Sequence, residues 1–409
     1  MSEPIKPHLR PLDFQPVYHQ NEQMWLLRDP WQLSERQLIF PQALAQMLLF
    51  CDGTRTVEEI HQALCEHLGD EVPLEAVVEA IAQLDQTFLL QSERFEREKQ
   101  HLIDEYRSQS YRPPALAGVN YPEAPDELDA LFHQYSNGIE TPGSSAWRGR
   151  GLISPHIDYQ RGGPVYAQVW RRGARAVLDA DLVLIFGTDH NGRPGSITLT
   201  HLPYATPYGV LPADTALVDR LAEAIGPEAA FREELNHRNE HSVELSAVWL
   251  HHLYHEAGVQ PAPMVPVLVG SFHHFLENGA HPSGDATYSR FLAALREGTQ
   301  ARRVLVVGSV DLAHVGPAFG DTFAMDKGRR ETLRLQDAKL MATIIEGNAA
   351  AFYQQIESVR DRNRICGFAP LYLMLEYLQP TGGIKVVYEH CPADVANTSL
   401  VSVCGLLLN

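Results

Sequence analysis

Three strand-like runs in this chain each end in a short loop that holds a histidine close to an aspartate. Gly151–Ser154 leads into Pro155-His156-Ile157-Asp158, residues 182–187 into Thr188-Asp189-His190-Asn191, and residues 304–308 into Ser309-Val310-Asp311-Leu312-Ala313-His314. Imidazole binds divalent metals and moves protons near neutral pH, and a carboxylate beside it fixes its orientation. One such histidine is most often an ordinary core or surface residue. Three of them, delivered by three strands of one sheet, would meet in one crevice, because open α/β sheets gather their chemistry beyond the carboxyl ends of the strands.

Two further segments carry suitable side chains. Asn239-Glu240-His241-Ser242-Val243-Glu244 opens a helical stretch and puts His241 and Glu244 on one face at i, i+3 spacing. Acidic residues at a helix start are also favoured by the dipole alone. Arg364-Ile365-Cys366-Gly367 precedes an apolar helix over 370–378. A cysteine there has a lowered pKa and serves as thiolate ligand or nucleophile, or else it is a small buried apolar side chain. Spacing alone leaves these alternatives open.

The elements that must position these residues follow from the hydrophobic pattern. Residues 111–409 alternate strand candidates (Gly151–Ser154, 182–187, Met264–Val269, 304–308, 384–388 and 399–408) with helical stretches over 164–172, Thr215–Ile225, 241–255 and 328–346. That alternation predicts a three-layer α/β domain with a mixed, largely parallel sheet. Residues 1–95 read as a small α+β unit. A strand or two is expected over 17–27, a helix over 42–50 after Pro41, and a capping box at Thr56-Val57-Glu58-Glu59 opening a helix with the stripe Val57, Ile60, Leu64 and Leu68. A third helix after Pro73 is expected to bury Val77, Val78, Ile81 and Leu84, followed by a short strand over 87–90. Three helices with short strands is the winged-helix pattern. The charged residues 96–110 form a helical linker.

Composition narrows the function. The 409 residues suffice for two or three domains at roughly 100–200 residues each. With 44% apolar and 21% charged residues the chain is of globular type. It holds no apolar window of the roughly 18 residues that a spanning helix needs, and MSEPIKPHLR has no apolar secretory core. Five scattered cysteines form no disulfide framework, so a cytoplasmic, non-membrane protein is expected. A net charge of −18 argues against a nucleic-acid partner. So does the first unit, whose fifteen acidic residues over 1–95 outnumber six basic ones.

From Arg112 onward the segments RPPALAGVNYPEAPDELDALF, SPHIDYQRGGPVYAQVW, FGTDHNG, TPYGVLPADTALVDRL, NEHSVELSAVWL, PVLVGSF, VGSVDLAHVG and ICGFAP come in the order of the Memo-like family, the B component of the bacterial AmmeMemoRadiSam set. That family resembles in fold the class III extradiol dioxygenases, which are non-haem iron enzymes. The resemblance implies metal ligands at His156, His190 and Cys366, polar neighbours at Asp311 and His314, and His241 lining the same pocket. Two imidazoles and one anionic donor leave positions open on a divalent ion, and a thiolate softens the site. Fe(II) is the expected ion, with Cu or Zn as alternatives. Where animal members read Pro-His-Ala-Gly, this chain has Asp158, and Asp189 directly precedes His190. Asp158, Asp189 and Glu244 are candidates to orient the ligating imidazoles; the two aspartates could instead bond loop backbone or help hold a second metal.

The run LRDPWQLSERQLIFPQALAQMLLFCDGTRTVEEIHQAL resembles PqqD-like winged helices, the RiPP recognition elements, chiefly through DGTRTVEEI. Such domains offer a strand edge to an extended peptide, so a peptide or a radical-SAM enzyme is an expected partner, with docking or homodimerisation as the alternative. The function expected is a non-haem iron oxidoreductase acting on a small or peptide-borne substrate, with His314, backed by Asp311, or His241 as general acid or base. The alternatives are a metal-binding docking protein without turnover and a metal-dependent hydrolase.

Overall fold

The computed structural model describes residues 6–10, 12–19, 22–29, 33, 38–139 and 147–409. They fall into two compact units, Met1–Ser108 and Gln109–Asn409.

In the first unit, strands β1 (Asp13–His19), β2 (Glu22–Arg28) and β3 (Leu38–Pro41) pair antiparallel in that order. The predicted capping box is present: Glu59 N–H donates to the Thr56 hydroxyl at 3.3 Å, and Thr56 N–H to the Glu59 carboxylate at 2.7 Å. It opens the helix Val57–Leu68, which buries Ile60 and Leu64 and ends on Gly69 at φ 68°, a conformation glycine adopts without strain. The next helix, Leu74–Gln86, packs Val77, Ile81 and Leu84 into the same core.

Several expectations change here. Residues 42–50 form one α-turn, Gln42–Ala45, that tightens into a 3-10 turn over Gln46–Phe50. Val78 is exposed at 48%, because it sits about 100° around the helix from Val77 and so leaves the stripe that Val77, Ile81 and Leu84 define. Residues 87–90 are not a strand: Phe88 is left-handed at φ 59°, which breaks the extended run, and Leu90 makes an isolated bridge to Leu9. The helix Glu93–Ser108, expected as a linker, is part of the first unit and buries Phe95, Ile103 and Tyr106. Residues 20–21, within the strand region expected over 17–27, lie outside the described residues, as do 30–32 and 34–37 of the segment that resembles peptide-binding winged helices.

The second unit is built on β4 (Gly151–Ser154), β5 (Leu182–Thr188), β6 (Ile197–Thr198), β7 (Tyr204–Thr206), β8 (Gly209–Leu211), β9 (Met264–Val269), β10 (Val304–Ser309), β11 (His314–Val315), β12 (Gly383–Pro392) and β13 (Leu400–Leu408). β7 and β8 pair with each other, and the other eight form one mixed sheet in the order β11-β13-β4-β10-β5-β9-β6, with β12 beside β13. β4, β10, β5 and β9 run parallel. Their residues are buried throughout, because both faces are covered, and apolar up to the Ser154, Thr188 and Ser309 that end three of them. Side chains alternate accordingly: Leu182, Leu184, Phe186, Val304 and Val306 join the core that holds helices Thr215–Ile225, Ala286–Gly298 and Phe368–Leu378. Val183, Ile185, Leu305 and Val307 join the opposite core, with Tyr159–Asp179 and His241–Ala257. This is the predicted three-layer α/β architecture.

Register places the site. Ser309 at the end of β10 pairs with Ser154 on one side and Gly187 on the other. Three adjacent parallel strands therefore stop nearly level, and the loops carrying His156, His190 and Asp311 leave from one edge. No helix among the described residues is long and apolar enough to cross a membrane.

Candidate metal centre

At that edge, one ring nitrogen of each of His156, His190 and His241 lies within 4.8 Å of the other two. The His190 and His241 rings stack at 4.6 Å and 20°, and the His156 ring stands edge-on to both at 5.2 and 5.1 Å. The Cys366 sulfur is 3.2 Å from His156 Nε2. Residues drawn from positions 156 to 366 thus meet in one cluster.

Each imidazole is held by its other nitrogen. His156 Nδ1 lies 2.9 Å from the Ser309 carbonyl, to which it must donate, so Nε2 is left unprotonated on the side of Cys366. His190 Nδ1 lies 3.0 Å from the Glu240 carboxylate, and His241 Nδ1 3.1 Å from the same oxygen. Glu240 is buried and also accepts from the backbone N–H of His190 at 3.1 Å and of Ser242 at 2.9 Å. One side chain thus caps the helix His241–Ala257 and orients two rings. The sequence reading passed over it: next to His241 it looked like an ordinary helix-start acid. The signal was there, since an N-cap carboxylate between two candidate histidine segments faces the same strand ends.

The charges respond to this packing. Burial and the two neighbouring histidines press His156 well below the usual histidine range. Burial opposes the charged form of His190, but Glu240 and Cys366 outweigh it and raise His190 well above that range. Burial likewise opposes ionised Glu240, yet His190 and His241 hold it well below the ordinary carboxylate value. Cys366 departs from expectation. Burial raises its thiol, and its hydrogen bond with His190 offsets this only in part.

The remaining predicted residues divide. Asp311 Oδ1 accepts from the backbone N–H of His156 at 2.9 Å and of Ile157 at 3.2 Å, so it shapes the loop that carries His156. His314 lies with Nδ1 3.2 Å from the Leu312 carbonyl and 3.1 Å from the Arg364 carbonyl, which leaves Nε2 as a proton acceptor. Burial lowers its pKa, against the pull of Asp311. Three expected orienting carboxylates turn elsewhere. Asp158 caps the helix Tyr159–Asp179 through Arg161 N–H at 3.0 Å and pairs with the Arg161 side chain. Asp189 accepts from Asn236 at 2.9 Å and Thr198 at 3.2 Å, and burial pushes it up to about 7. Glu244 pairs with buried Arg112 and accepts from Ala115 N–H, Leu116 N–H and the Tyr121 hydroxyl. Sharing a helix face with His241 did not bring Glu244 to the imidazoles, because Arg112 and the chain after it occupy the space above that turn.

The donor chemistry fits a transition metal. Imidazole nitrogens whose opposite nitrogens are tied down, together with a sulfur, suit Fe(II), Cu or Zn better than a hard, oxygen-seeking cation. A mixed α/β sheet with a histidine–thiol cluster at its carboxyl edge defines the class. Within it, the family profile described as Memo-like protein matches residues 112–405, and the chain belongs to that family. A MEMO1 family protein of Aquifex aeolicus is 27% identical over 410 aligned residues, covering 98% of this chain and all of the relative, so that match takes in the first unit as well. One from Thermus thermophilus is 28% identical over 87% of this chain and 99% of its own. One from Methanocaldococcus jannaschii is 27% identical over 67% of this chain and 89% of its own.

Proposed function

We propose that the protein binds a divalent transition-metal ion, Fe(II) first, through His156, His190 and Cys366 with His241 alongside, and acts as an oxidoreductase on a small or peptide-borne substrate. The observation that carries this reading is the convergence of three imidazoles and a thiol whose far sides are already committed to Glu240, Ser309 and the β10 loop. A bound ion would supply Lewis acidity and a redox couple. The chain supplies the rest. Glu240 keeps His190 and His241 in the tautomer that turns Nε2 inward. Asp311 fixes the His156 loop, and His314 Nε2 is the nitrogen placed to take or return a proton.

The test is elemental analysis of protein purified without oxygen, beside His156→Ala, His190→Ala and Cys366→Ala. About one ion per chain in the parent, lost in each variant, is expected. Full metal in all three variants would sink the reading. Oxygen consumption that depends on an added substrate separates turnover from metal binding alone, and zinc without redox response favours hydrolysis.

A further inference from the structure

His190 and Cys366 have a second setting: both also line a cavity of about 270 Å³. Its other walls come from the chain after β9 and from the loop ahead of the helix Phe368–Leu378. The volume lies at the small end of ligand sites, which suits one compact molecule. Val269, Phe272, Ile365 and Phe368 give the cavity a mainly apolar lining.

One polar anchor stands in that lining. Asp361 is 2% exposed, and its Oδ2 lies 3.3 Å from His273 Nε2, while its Oδ1 accepts from Ile365 N–H at 2.9 Å. His273 is half exposed and open to water, so the buried carboxylate is the partner with more to gain from a donor brought by a ligand. Of the other charged wall residues outside the metal cluster, Asp189 already accepts from Asn236 and Thr198, and Arg364 has its charge paired with Asp321 at 2.6 Å, although its buried Nε has no hydrogen-bond partner.

The loop itself is strained. Arg360, Asp361 and Arg364 adopt φ values of 49°, 45° and 53°, a left-handed conformation unfavourable for residues with a Cβ. Three such residues fall within five, in the segment that presents Asp361 and Cys366 together, and backbone of this kind clusters at functional sites.

We propose that this cavity is the substrate pocket of the metal centre and takes a compact molecule with an apolar, ring-sized body and an amine or hydroxyl donor that bonds to Asp361. The proposal rests on the metal reading above. It commits to a donor head and against a carboxylate.

Calorimetric titration of the metal-loaded full chain with benzylamine, benzyl alcohol and benzoate tests it, with metal content measured on the same samples. Benzylamine is expected to bind, benzyl alcohol more weakly, and benzoate not at all. Asp361→Asn, which keeps an oxygen for Ile365 N–H, is expected to weaken benzylamine about ten-fold or more while retaining the metal. His273→Phe, which frees the carboxylate of its present partner, is expected to tighten it and serves if the Asn variant does not fold. Benzoate binding as well as benzylamine, unchanged affinity in these variants, or no binding by fully loaded protein overturns the proposal. Protein that takes up no metal yet still binds benzylamine through Asp361 supports the ligand class and overturns the metal reading instead.

Discussion

Glu240 and Glu244 stand about one turn apart at the start of one helix, and both are buried. Glu240 faces His190 and His241, whose charge depends on protonation. Glu244 faces Arg112, whose charge is permanent, and three further donors from the chain after it. The same side chain in the same kind of burial therefore does two jobs. Where the partner is a fixed cation and every lone pair is filled, the carboxylate anchors the fold. Where the partners are imidazoles whose other nitrogens turn toward the cluster, it aims chemistry.

Removing Glu244 gives the largest expected effect on that contrast. Glu244→Ala takes the compensating carboxylate from buried Arg112, which costs about 3–5 kcal/mol in denaturant melts, while the folded fraction keeps its metal. Loss of metal with stability intact would reverse the two roles.

A buried carboxylate whose partner is neutral sharpens the contrast next. Asp337 accepts from the Tyr388 hydroxyl at 2.7 Å, and burial pushes it from 3.8 to about 6. The native state then holds the proton more tightly than the unfolded chain. This contribution to stability is full below pH 4 and lost as pH rises through 6, about 3 kcal/mol in all. Asp337→Asn is expected to remove that slope and to be the more stable protein at pH 8. Parallel stability–pH curves for the two proteins would contradict this.

The smallest effect is at Glu240. Glu240→Gln is expected to lower metal affinity about 10–100-fold, as loss of a carboxylate behind ligating imidazoles does, with little change in melting temperature. A large thermal loss with unchanged affinity would make Glu240 an anchor like Glu244.

The sequence exposed the strands and their ends clearly. β5, β9 and β10 are short apolar runs closed by polar loops, and a parallel sheet buried on both faces writes itself in that way. His156, His190, Asp311, His314 and Cys366 were legible for the same reason, since each sits just past a strand or just before a helix. Second-row contacts were not. Asp158, Asp189 and Glu244 were all reasonable partners by adjacency, but adjacency along a chain does not say which way a side chain turns. Arg161, Asn236 and Arg112 decided it, and these lie 3, 47 and 132 residues away from them. Which of its two readings suits Cys366 was not legible, because helix position is local, whereas the burial that raises its thiol depends on the whole fold.

The place of β13 in the sheet has a consequence for biosynthesis. β4 emerges early and finds β10 on one side, but its other edge is covered by β13, at Leu400–Leu408. A ribosome must therefore deliver every intervening residue before that edge closes. Until then the nascent chain carries an open apolar strand next to the loop of His156, the kind of edge on which other chains add. Holdase chaperones and translation speed thus bear on the yield of this protein more than on one whose sheet closes in the order it is made.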